Sequence, residues 1–461
     1  MKKQTYLLYS ALLTILIAAI SCAKYLDKKP SNAITTPSTL SDLQALLDNA
    51  NRVMNTNIGP VTGEASSDDY FLPANFFTSI NEWGRHIYKR APYELQYAND
   101  WSMAYTPIYN ANYCLEMLQK IEKTKDNTVQ WDNVYGSALF FRSFFFQQLA
   151  WIYAKAYDES SSEKDLGIVL RLTSDFNVPS KRATVTETYN QIINDTKLAG
   201  GYLSPLPDHP YRPSKAAAYG LLARTYLSMR LYDSAYRYAG LCLDIKSDLM
   251  DYNGDSDVGN LTANYPFKRF NKETIFYVEM TTGGAFPLIL PLRAKVDTVL
   301  YDIYEANDLR RTAFFAVSGG YPNFKGSYAQ STSNFSGLAT DEIWLIFAEC
   351  LARRGYSGLE AATSNLNHLL KHRYNKDSFV SLAYNDIGDL LNRILSERRK
   401  ELLFRGIRWS DIKRLNKEGQ NIILTRVFEG NTYTLLPNAN YYALPIPHTL
   451  VEDFGLEQNP I

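Results

Sequence analysis

Apolar residues recur every three or four positions along most of the chain, which is the spacing of one face of an α-helix. Thr39 and Ser41 stand at the start of the first such segment and are candidate N-caps. The segment 135–153 is apolar nearly all round, a pattern typical of a central buried helix. Gly200 and Gly201 indicate the end of another helix. Before residue 200 the pattern predicts helices over 41–51, 100–121, 135–153 and 186–199.

A tetratricopeptide-like pattern occupies residues 214–245. Tyr219 and Tyr226 lie on either side of small and apolar residues, and Ala235 follows nine positions later. This is the spacing of a helix-turn-helix unit in which small residues let two helices approach. A looser unit spans 342–373. One unit cannot bury its apolar face alone, so the pattern favours a stacked array, with another antiparallel helical bundle as the alternative. The predicted helical pairs lie at about 98–156, 183–246 and 340–415.

Irregular, aromatic-rich stretches separate the helical blocks at 52–97, 247–338 and 416–461. Short β patterns occur within them at 273–280 and 431–437. Loops of this length inside a compact domain are usually functional. We therefore predict a mainly α fold: a tetratricopeptide-like helical-pair scaffold with long irregular loops and a few short β-hairpins. The binding loops are predicted in the first two stretches.

The N-terminal residues have the layout of a secretory signal. Lys2 and Lys3 precede an apolar run over 6–20, which is shorter than the ~20 residues that span a bilayer. Small residues then lead into Cys22, so the segment resembles a bacterial lipoprotein signal, in which this cysteine becomes the first mature residue and is acylated. An ordinary cleaved signal with a coincidental cysteine is the alternative. We predict a signal peptide over 1–21, a lipid anchor and tether over 22–40 and a single binding domain over 41–461.

The charges of the 461-residue chain balance, with 48 basic and 48 acidic side chains. Nothing in this balance points to nucleic acid or to an electrostatic hold on anionic lipid. Beyond Cys22 the cysteines are Cys114, Cys242 and Cys350, each within an apolar helical pattern. In an exported protein this odd number indicates buried free thiols rather than a disulfide framework.

The segment 394–416 combines carboxylates and arginines at helical spacing. Glu397 and Glu401 lie one helical turn apart, and Gly406 breaks the helix. The two glutamates are either an acid–base pair or partners of arginines in a half-buried ion network. Their basic neighbours favour the network, because they hold both carboxylates ionised whereas acid–base catalysis needs two different pKa values. The motif residues are Glu397, Arg398, Glu401, Gly406, Arg408, Asp411 and Arg414.

This segment resembles the C-terminal signature of the SusD/RagB family of Bacteroidetes outer-membrane lipoproteins, in which an ER-x-x-EL helix leads into a G-x-R-x-x-D-x-x-R turn. Three other stretches are similar to the family in the same order, namely CAKYLDKKPSNAIT, DEIWLIFAECLARRG and ALPIPHTLVEDFGLEQNP. The resemblance covers essentially the whole chain. Arg405 departs from it, since the family often has an acidic residue there, and so does the ending directly after Asn459 and Pro460.

The resemblance implies a SusD-like fold and a binding protein without catalytic activity. Members of the family cap a SusC-like TonB-dependent transporter and capture glycan, or sometimes peptide, for import. It therefore implies a transporter partner, a glycan or peptide ligand, and an outer-membrane location facing the cell surface, with Cys22 as the membrane attachment. The sequence contains no phosphate-binding glycine loop, and no cofactor, metal or nucleic-acid partner is predicted.

Aromatic side chains in loops are the candidate ligand contacts. A flat ring suits the C–H face of a sugar, and nearby Asn, Asp or Arg side chains bind its hydroxyl groups. Most of the 34 Tyr, 22 Phe and 6 Trp residues belong to the core, so packing is the alternative role of any one ring. The first group is favoured because starch-binding relatives place part of their site there. It comprises Asp68, Asp69, Trp83, Arg85 and Tyr88, and the second group comprises Tyr301, Tyr304, Tyr321, Phe324 and Tyr328.

An alternating acidic stretch is a weaker candidate, for calcium. Asp251, Asn253, Asp255 and Asp257 supply oxygen ligands at alternate positions. However, Ser256 stands where an EF-hand loop needs glycine, and no bidentate glutamate closes the loop. A solvated turn stabilised by Asx side chains is the favoured interpretation.

A zinc site has little support in the sequence, and two other classes of function, a glycoside hydrolase and an assembly scaffold, stay open. His368 and His372 lie one helical turn apart, but no third zinc ligand is evident. A surface glycoside hydrolase would need two carboxylates flanking a cleft at a defined separation. A pure assembly scaffold would bind the transporter and no glycan or peptide.

Overall fold

The computed structural model describes residues 37–94, 99–291 and 293–460 of the chain. This part is mainly helical with small two-stranded sheets, which confirms the predicted fold class. The predicted signal peptide and the lipid site Cys22 lie outside the described residues. Among the helices that are described, none is both long enough and apolar enough to span a bilayer.

Long helices form the scaffold, and helices that follow one another in the sequence pack together. Short helices occupy the loop regions between them. The long helices are Leu40–Leu47, Glu82–Lys89, Asp100–Leu118, Thr128–Tyr153, Val185–Tyr202, Lys215–Ser228, Tyr232–Leu243, Thr340–Ala352, Leu359–Leu370, Ile387–Glu401 and Arg408–Lys417. The short ones are Thr62–Ser66, Ala74–Phe77, Phe286–Ile289, Thr298–Asp302, Arg310–Phe314 and His448–Glu452, with 3₁₀ turns at Gly355–Gly358 and Asn440–Tyr442.

The strands pair in antiparallel twos. Some pairs are local hairpins, and others join segments far apart in the sequence, such as Tyr70 opposite Val296. Both β patterns read from the sequence, at 273–280 and 431–437, contain a strand. The pairs are Tyr70–Phe71 with Lys295–Val296, Leu166–Val169 with Arg182–Thr184, Thr274–Phe276 with Leu338–Ala339, Phe315–Ser318 with Tyr321–Phe324, and Leu424–Phe428 with Asn431–Leu435.

Capping side chains explain where helices begin. The Thr39 hydroxyl accepts a hydrogen bond from the backbone N–H of Asp42, and the Asp42 carboxylate accepts one from the Thr39 N–H. Thr39 is therefore the N-cap of the first helix, as predicted. This helix ends at Leu47, before the predicted residue 51, because the chain turns back and the Arg52 N–H bonds the carbonyl of Thr56.

The predicted helix end at Gly200 and Gly201 is wrong, since the helix continues to Tyr202. A Cβ atom at Gly200 would lie 3.4 Å from the Cβ of Ala218 in the next long helix. A Cβ at this distance would make an ordinary van der Waals contact, so Gly200 is an interior helix residue that faces the neighbouring helix and does not end its own. The central helix also differs from its prediction, since it begins at Thr128 with polar turns that apolar periodicity could not detect.

The central helix Thr128–Tyr153 is buried along its apolar part, as predicted. Phe140 and Phe144 contact the ring of Phe276, at centroid distances of 4.8 and 5.3 Å with edge-on geometry. Such pairs stabilise a core beyond simple burial. Because Phe276 belongs to a strand of the irregular region, this cluster fixes the loop-rich half of the molecule on the helical scaffold.

The tetratricopeptide-like pair consists of the helices Lys215–Ser228 and Tyr232–Leu243. Tyr226 and Tyr238 stack with centroids 5.6 Å apart, and Ala235 is fully buried at the contact. These contacts confirm the predicted packing of aromatic and small residues.

The three cysteines within the described residues are buried and free, as predicted. Burial raises the pKa of the Cys114 and Cys242 thiols to about 12. Core stability therefore comes from packing and from the ion pairs described below.

Candidate ligand-binding surface

The signature segment forms a buried ion network around Arg310. Its guanidinium contacts Asp308 at 2.8 Å, Glu397 at 2.6 Å and Glu401 at 2.8 Å, and all four side chains are fully buried. Arg373 binds the other oxygen of Glu401 at 2.7 Å. The two glutamates are thus partners of arginines, and neither is presented to a cleft as a general acid would be.

A second branch of the network joins the two helices of the signature segment. Arg398 and Arg414 bind Asp411 at 2.8 and 2.7 Å, and Arg414 also binds Glu349 at 2.6 Å. Burial alone would raise the pKa of Asp411, but the two guanidinium groups hold it below its ordinary value. Gly406, at φ +76°, supplies the left-handed turn between these helices.

One buried carboxylate cluster has the spacing of a metal site. Oxygen atoms of Glu273, Asp341 and Glu401 lie within 4.8 Å of one another. Arg373 bonds Glu273 at 2.6 Å and also Glu401, while Arg405 bonds Asp341 at 3.1 Å. Guanidinium groups therefore supply the positive charge that a cation would supply, so this cluster is part of the ion network.

Asp68 and Asp69, two of the predicted ligand contacts, instead connect their loop to the signature segment. Arg408 makes two bonds to the Asp68 carboxylate, at 2.8 and 2.9 Å, and Arg399 binds Asp69 at 2.8 Å. The Asp69 side chain is 1% exposed. Burial would raise the pKa of Asp68, but Arg408 and Arg399 lower it. Both carboxylates are bound by arginines and hold the loop in place; that of Asp69 is buried, and that of Asp68 is 19% exposed.

Four predicted rings lie in the core rather than at the surface. Tyr88 accepts a hydrogen bond from the Leu72 N–H through its hydroxyl oxygen, and the Tyr304 hydroxyl donates to the carbonyl of Lys400. Tyr88, Tyr304, Phe324 and Tyr328 are all buried. Their packing role corrects the expectation that they contact a ligand.

The other predicted residues remain accessible. Trp83 is half-buried beside the Gly284 turn, and Arg85 is half-buried with its guanidinium bound to the carbonyl of Ile80. Tyr301 is half-buried under Arg311, whose guanidinium carbon lies 4.3 Å from the ring centroid. These side chains belong to both predicted loop regions.

The two loop regions meet in a cluster in which Tyr321 is exposed, Phe71 and Phe76 are half-buried, and Lys295 and Asn323 are buried. We call these five residues the hairpin patch. Tyr321 is 43% exposed and packs edge-on against Phe71, with centroids 5.2 Å apart. Lys295 donates a hydrogen bond to Asn323 at 2.6 Å, and its amine lies 5.9 Å from the Phe76 ring. The structure therefore brings the predicted loops 52–97 and 247–338 together on one face.

The acidic stretch at 251–257 is a turn stabilised by its own side chains. Asp251 accepts hydrogen bonds from the backbone and side-chain N–H groups of Asn253. Asp255 binds Lys272 at 2.6 Å, and the Lys272 N–H donates to Asp257. Lysine thus balances these carboxylates, in agreement with the favoured Asx-turn interpretation.

The histidine pair at 368 and 372 is a packing contact. His368 lies against Trp344, with ring centroids 4.6 Å apart, and His372 shares a hydrogen bond with the carbonyl of His368. Burial lowers the pKa of both imidazoles.

An apolar groove of about 360 Å³ runs along the helix Asp100–Leu118, and no sequence pattern predicted it. Tyr109 and Phe176 stack on its wall with centroids 5.1 Å apart, and Phe176 is 78% exposed. Its walls come from three distant segments, so no local pattern announces it. The residues that line it include Trp101, Tyr105, Ile108, Tyr109, Phe176, Leu450, Phe454 and Leu456.

Two family models match this chain. Residues 24–227 match a SusD-like model described as "Starch-binding associating with outer membrane", and residues 319–461 match the SusD family model. The two matches together cover well over half of the chain. No curated protein sequence gives a significant match.

Solved structures share the fold. A SusD superfamily protein from Bacteroides thetaiotaomicron superposes with a TM-score of 0.74 at 19% identity, covering 92% of this chain and 100% of that one. A SusD-like carbohydrate binding protein from Bacteroides vulgatus has a TM-score of 0.67 at 20% identity, covering 91% and 97%. Surface glycan-binding protein A from Bacteroides fluxus has a TM-score of 0.69 at 20% identity, covering 92% and 100%. With the sequence matches and the signature segment, these similarities establish that the chain belongs to the SusD/RagB family.

Proposed function

We propose that this protein is a cell-surface lipoprotein that binds glycan and delivers oligosaccharide to a SusC-like TonB-dependent outer-membrane transporter. In this proposal residues 1–21 are a signal peptide, 22–40 form the lipid anchor and tether, and 41–461 form the binding domain. Two related structures are named as carbohydrate- or glycan-binding proteins, which supports a sugar ligand. The observation that carries the proposal is the common face built from the two loop regions, with Tyr321 exposed on it.

The chemistry of this face suits a sugar. The exposed ring of Tyr321 offers a flat apolar surface to the C–H face of a pyranose. In the loop region 52–97, Arg85 carries N–H donors that can bind hydroxyl groups, and Trp83 adds a second accessible ring. Aromatic surface with a few polar groups is the usual composition of a small-molecule site.

The proposal assigns no catalysis to the chain. Glycoside hydrolysis needs one carboxyl group to donate a proton and a second to act as base or nucleophile beside the scissile bond. The clustered glutamates and aspartates of the signature segment are buried and bonded to arginines. A substrate cannot reach them without breaking the ion network.

Calorimetry against a panel of neutral and acidic oligosaccharides tests the proposal. We expect at least one glycan to bind and to remain intact during prolonged incubation with the protein. Trp83→Ala and Tyr321→Ala should weaken binding without changing the melting temperature. Tyr356→Ala is the matched control, because Tyr356 is also exposed but lies in the helical scaffold. Absence of binding to every glycan, or turnover of one, would refute the proposed function.

Peptide capture is a second candidate function, favoured by the apolar groove along the helix Asp100–Leu118. Arg171, at its edge, donates its hydrogen bonds to carbonyls of its own loop, so the accessible walls are largely apolar. Such walls suit the side chains of an extended peptide better than a polyhydroxylated sugar. If peptide is the ligand, Phe176→Ala will abolish binding of an apolar peptide while Tyr321→Ala will not.

A further inference from the structure

An open basin of about 570 Å³ lies within the loop-rich half of the molecule, away from the hairpin patch residues. The turn 51–56 forms one wall, and the segments 269–279 and 329–331 form the others. Neither the sequence patterns nor the family resemblance singled out these residues. Those used below are Asn51, Tyr211, Arg269, Glu279 and Gln330.

Hydrogen bonds fix the two charged side chains of the basin. Arg269 Nη2 donates to the Tyr211 hydroxyl at 2.7 Å and to Glu279 Oε1 at 2.8 Å. Arg269 Nε donates to the hydroxyl of Tyr277 at 3.0 Å, and that hydroxyl donates to Glu279 Oε1 at 2.6 Å. The guanidinium also lies 4.9 Å from the Tyr277 ring centroid. The ion pair is therefore preorganised by buried partners.

One atom of each charged group is left free. Arg269 Nη1 and Glu279 Oε2 have no hydrogen-bond partner among the described residues. Neither atom is one of the buried polar atoms that lack a partner, so both are accessible to solvent. The Glu279 side chain is only 10% exposed, so its free oxygen is confined to the opening of the basin. The basin thus presents one fixed N–H donor group and one fixed carboxylate acceptor.

The backbone around the basin is strained. Arg52, Phe270 and Gln330 adopt φ values of +57°, +58° and +52°, in the left-handed region that side chains with a Cβ rarely adopt. Strain of this kind is retained mostly at functional sites, where it positions groups for a ligand.

We propose that this basin is a sugar subsite that binds adjacent hydroxyl groups of a neutral saccharide between Arg269 and Glu279. This inference rests on the proposed glycan-binding function and names its subsite and ligand class. A hydroxyl group both donates and accepts, whereas guanidinium only donates and ionised carboxylate only accepts. Two adjacent hydroxyl groups can therefore accept from Nη1 and donate to Oε2 at once. The ring of Tyr211, which is half-buried on the wall, borders the C–H face of the same sugar.

Charge selects the class of saccharide. The positive charge of Arg269 and the negative charge of Glu279 cancel. A neutral ligand can therefore displace the water bound to both groups without placing a like charge beside either of them. Arg269 and Glu279 lie 2.8 Å apart, so the carboxylate of a uronic acid that binds Arg269 also lies beside Glu279, and the ammonium group of an amino sugar that binds Glu279 also lies beside Arg269. We therefore expect neutral hexose or pentose units at this position.

Two variants test the subsite, with calorimetry against neutral gluco-, manno- and xylo-hexasaccharides and against tri-galacturonate. Glu279→Gln removes the acceptor-only group, and Asn51→Trp fills the basin from its exposed wall without touching the ion pair. Each variant should bind the neutral glycan that wild type prefers at least about tenfold more weakly than wild type does. Wild type itself should bind tri-galacturonate at least about tenfold more weakly than it binds this neutral glycan. Asn385→Trp, at an exposed position outside the basin and outside both loop regions, is the control and should bind as wild type does.

The outcomes separate the subsite from the proposed function. If wild type binds a neutral glycan and Asn51→Trp binds it equally well with an unchanged melting temperature, the subsite is refuted and glycan binding stands. Tighter binding of tri-galacturonate than of the neutral glycans refutes the neutral ligand class. If wild type binds none of the saccharides, both proposals fail.

Discussion

Glu64 tests whether a buried carboxyl group makes the stability of this protein depend on pH. It is 2% exposed, in the short helix beside the signature segment. Its Oε2 accepts a hydrogen bond from the Gly406 N–H at 2.8 Å, while its Oε1 has no partner among the described residues. Burial, reinforced by the negative charge of Asp69, raises the pKa of Glu64 to about 8.

The sign of the effect on stability follows from this shift. The unfolded chain releases the proton near pH 4.5, whereas the folded chain keeps it up to about pH 8. The stabilising contribution is fully present below pH 4.5 and is lost as the pH rises through 8. A shift of this size corresponds to a loss on the order of 5 kcal/mol, from 1.36 kcal/mol for each pKa unit.

Glu64→Gln removes the titration and keeps an acceptor for the Gly406 N–H. We expect the free energies of unfolding of the variant and wild type to agree within about 1 kcal/mol at pH 5, since both side chains are then neutral. At pH 9 the variant should be more stable by several kcal/mol, because the wild type carries a buried charge without a full set of partners. Urea unfolding followed by tryptophan fluorescence at pH 5, 7 and 9 measures the difference.

The control is Glu159→Gln, at an exposed glutamate, which should leave the pH dependence of wild type unchanged. Equal pH slopes for Glu64→Gln and wild type would refute the reasoning.

Three further predictions concern the ion network, the loop attachment and the thiols. Arg310→Met leaves three buried carboxylates with fewer partners and should lower the free energy of unfolding by about 3–5 kcal/mol in urea titrations. The control Arg237→Met, at an exposed arginine, should change the free energy of unfolding by less than about 0.5 kcal/mol. Asp68→Asn weakens two charged bonds to Arg408 and should lower the melting temperature by several degrees, so an unchanged value would contradict its anchoring role. In a Cys22→Ala variant, the three described cysteines of the native protein should not react with a thiol reagent at pH 8 and should become fully labelled in denaturant, because they are buried and have raised pKa values. Rapid labelling of the native variant would contradict this burial.

The scaffold was predicted well because each helix has a local pattern of apolar residues in the sequence. Apolar spacing located the central helix and the tetratricopeptide-like pair, and Thr39 marked a true cap. Gly200 misled the prediction, because a glycine that ends a helix and a glycine inside a helix that continues look alike in the sequence.

The ligand-binding residues were predicted less well, because their roles depend on partners far away in the sequence. Asp68 and Trp83 stand in the same loop-like stretch, yet the first is bonded to Arg408, 340 residues away, and the second is accessible. No local pattern distinguishes a carboxylate that binds sugar from one that binds a distant arginine. The basin at Arg269 and Glu279 was missed for the same reason, since its walls come from four separate segments.

The bonds from Arg399 and Arg408 to Asp69 and Asp68 set a boundary for engineering the specificity of this protein. A loop transferred from a relative will dock only if it carries carboxylates at these two positions, because Arg399 and Arg408 belong to the part of the chain that the exchange leaves unchanged. Residues 70–94, beyond that junction, include the buried ring of Tyr88, so a replacement segment must also keep these core contacts. Chimaeras cut before Asp68 without acidic replacements would expose two guanidinium groups and misplace the transplanted face.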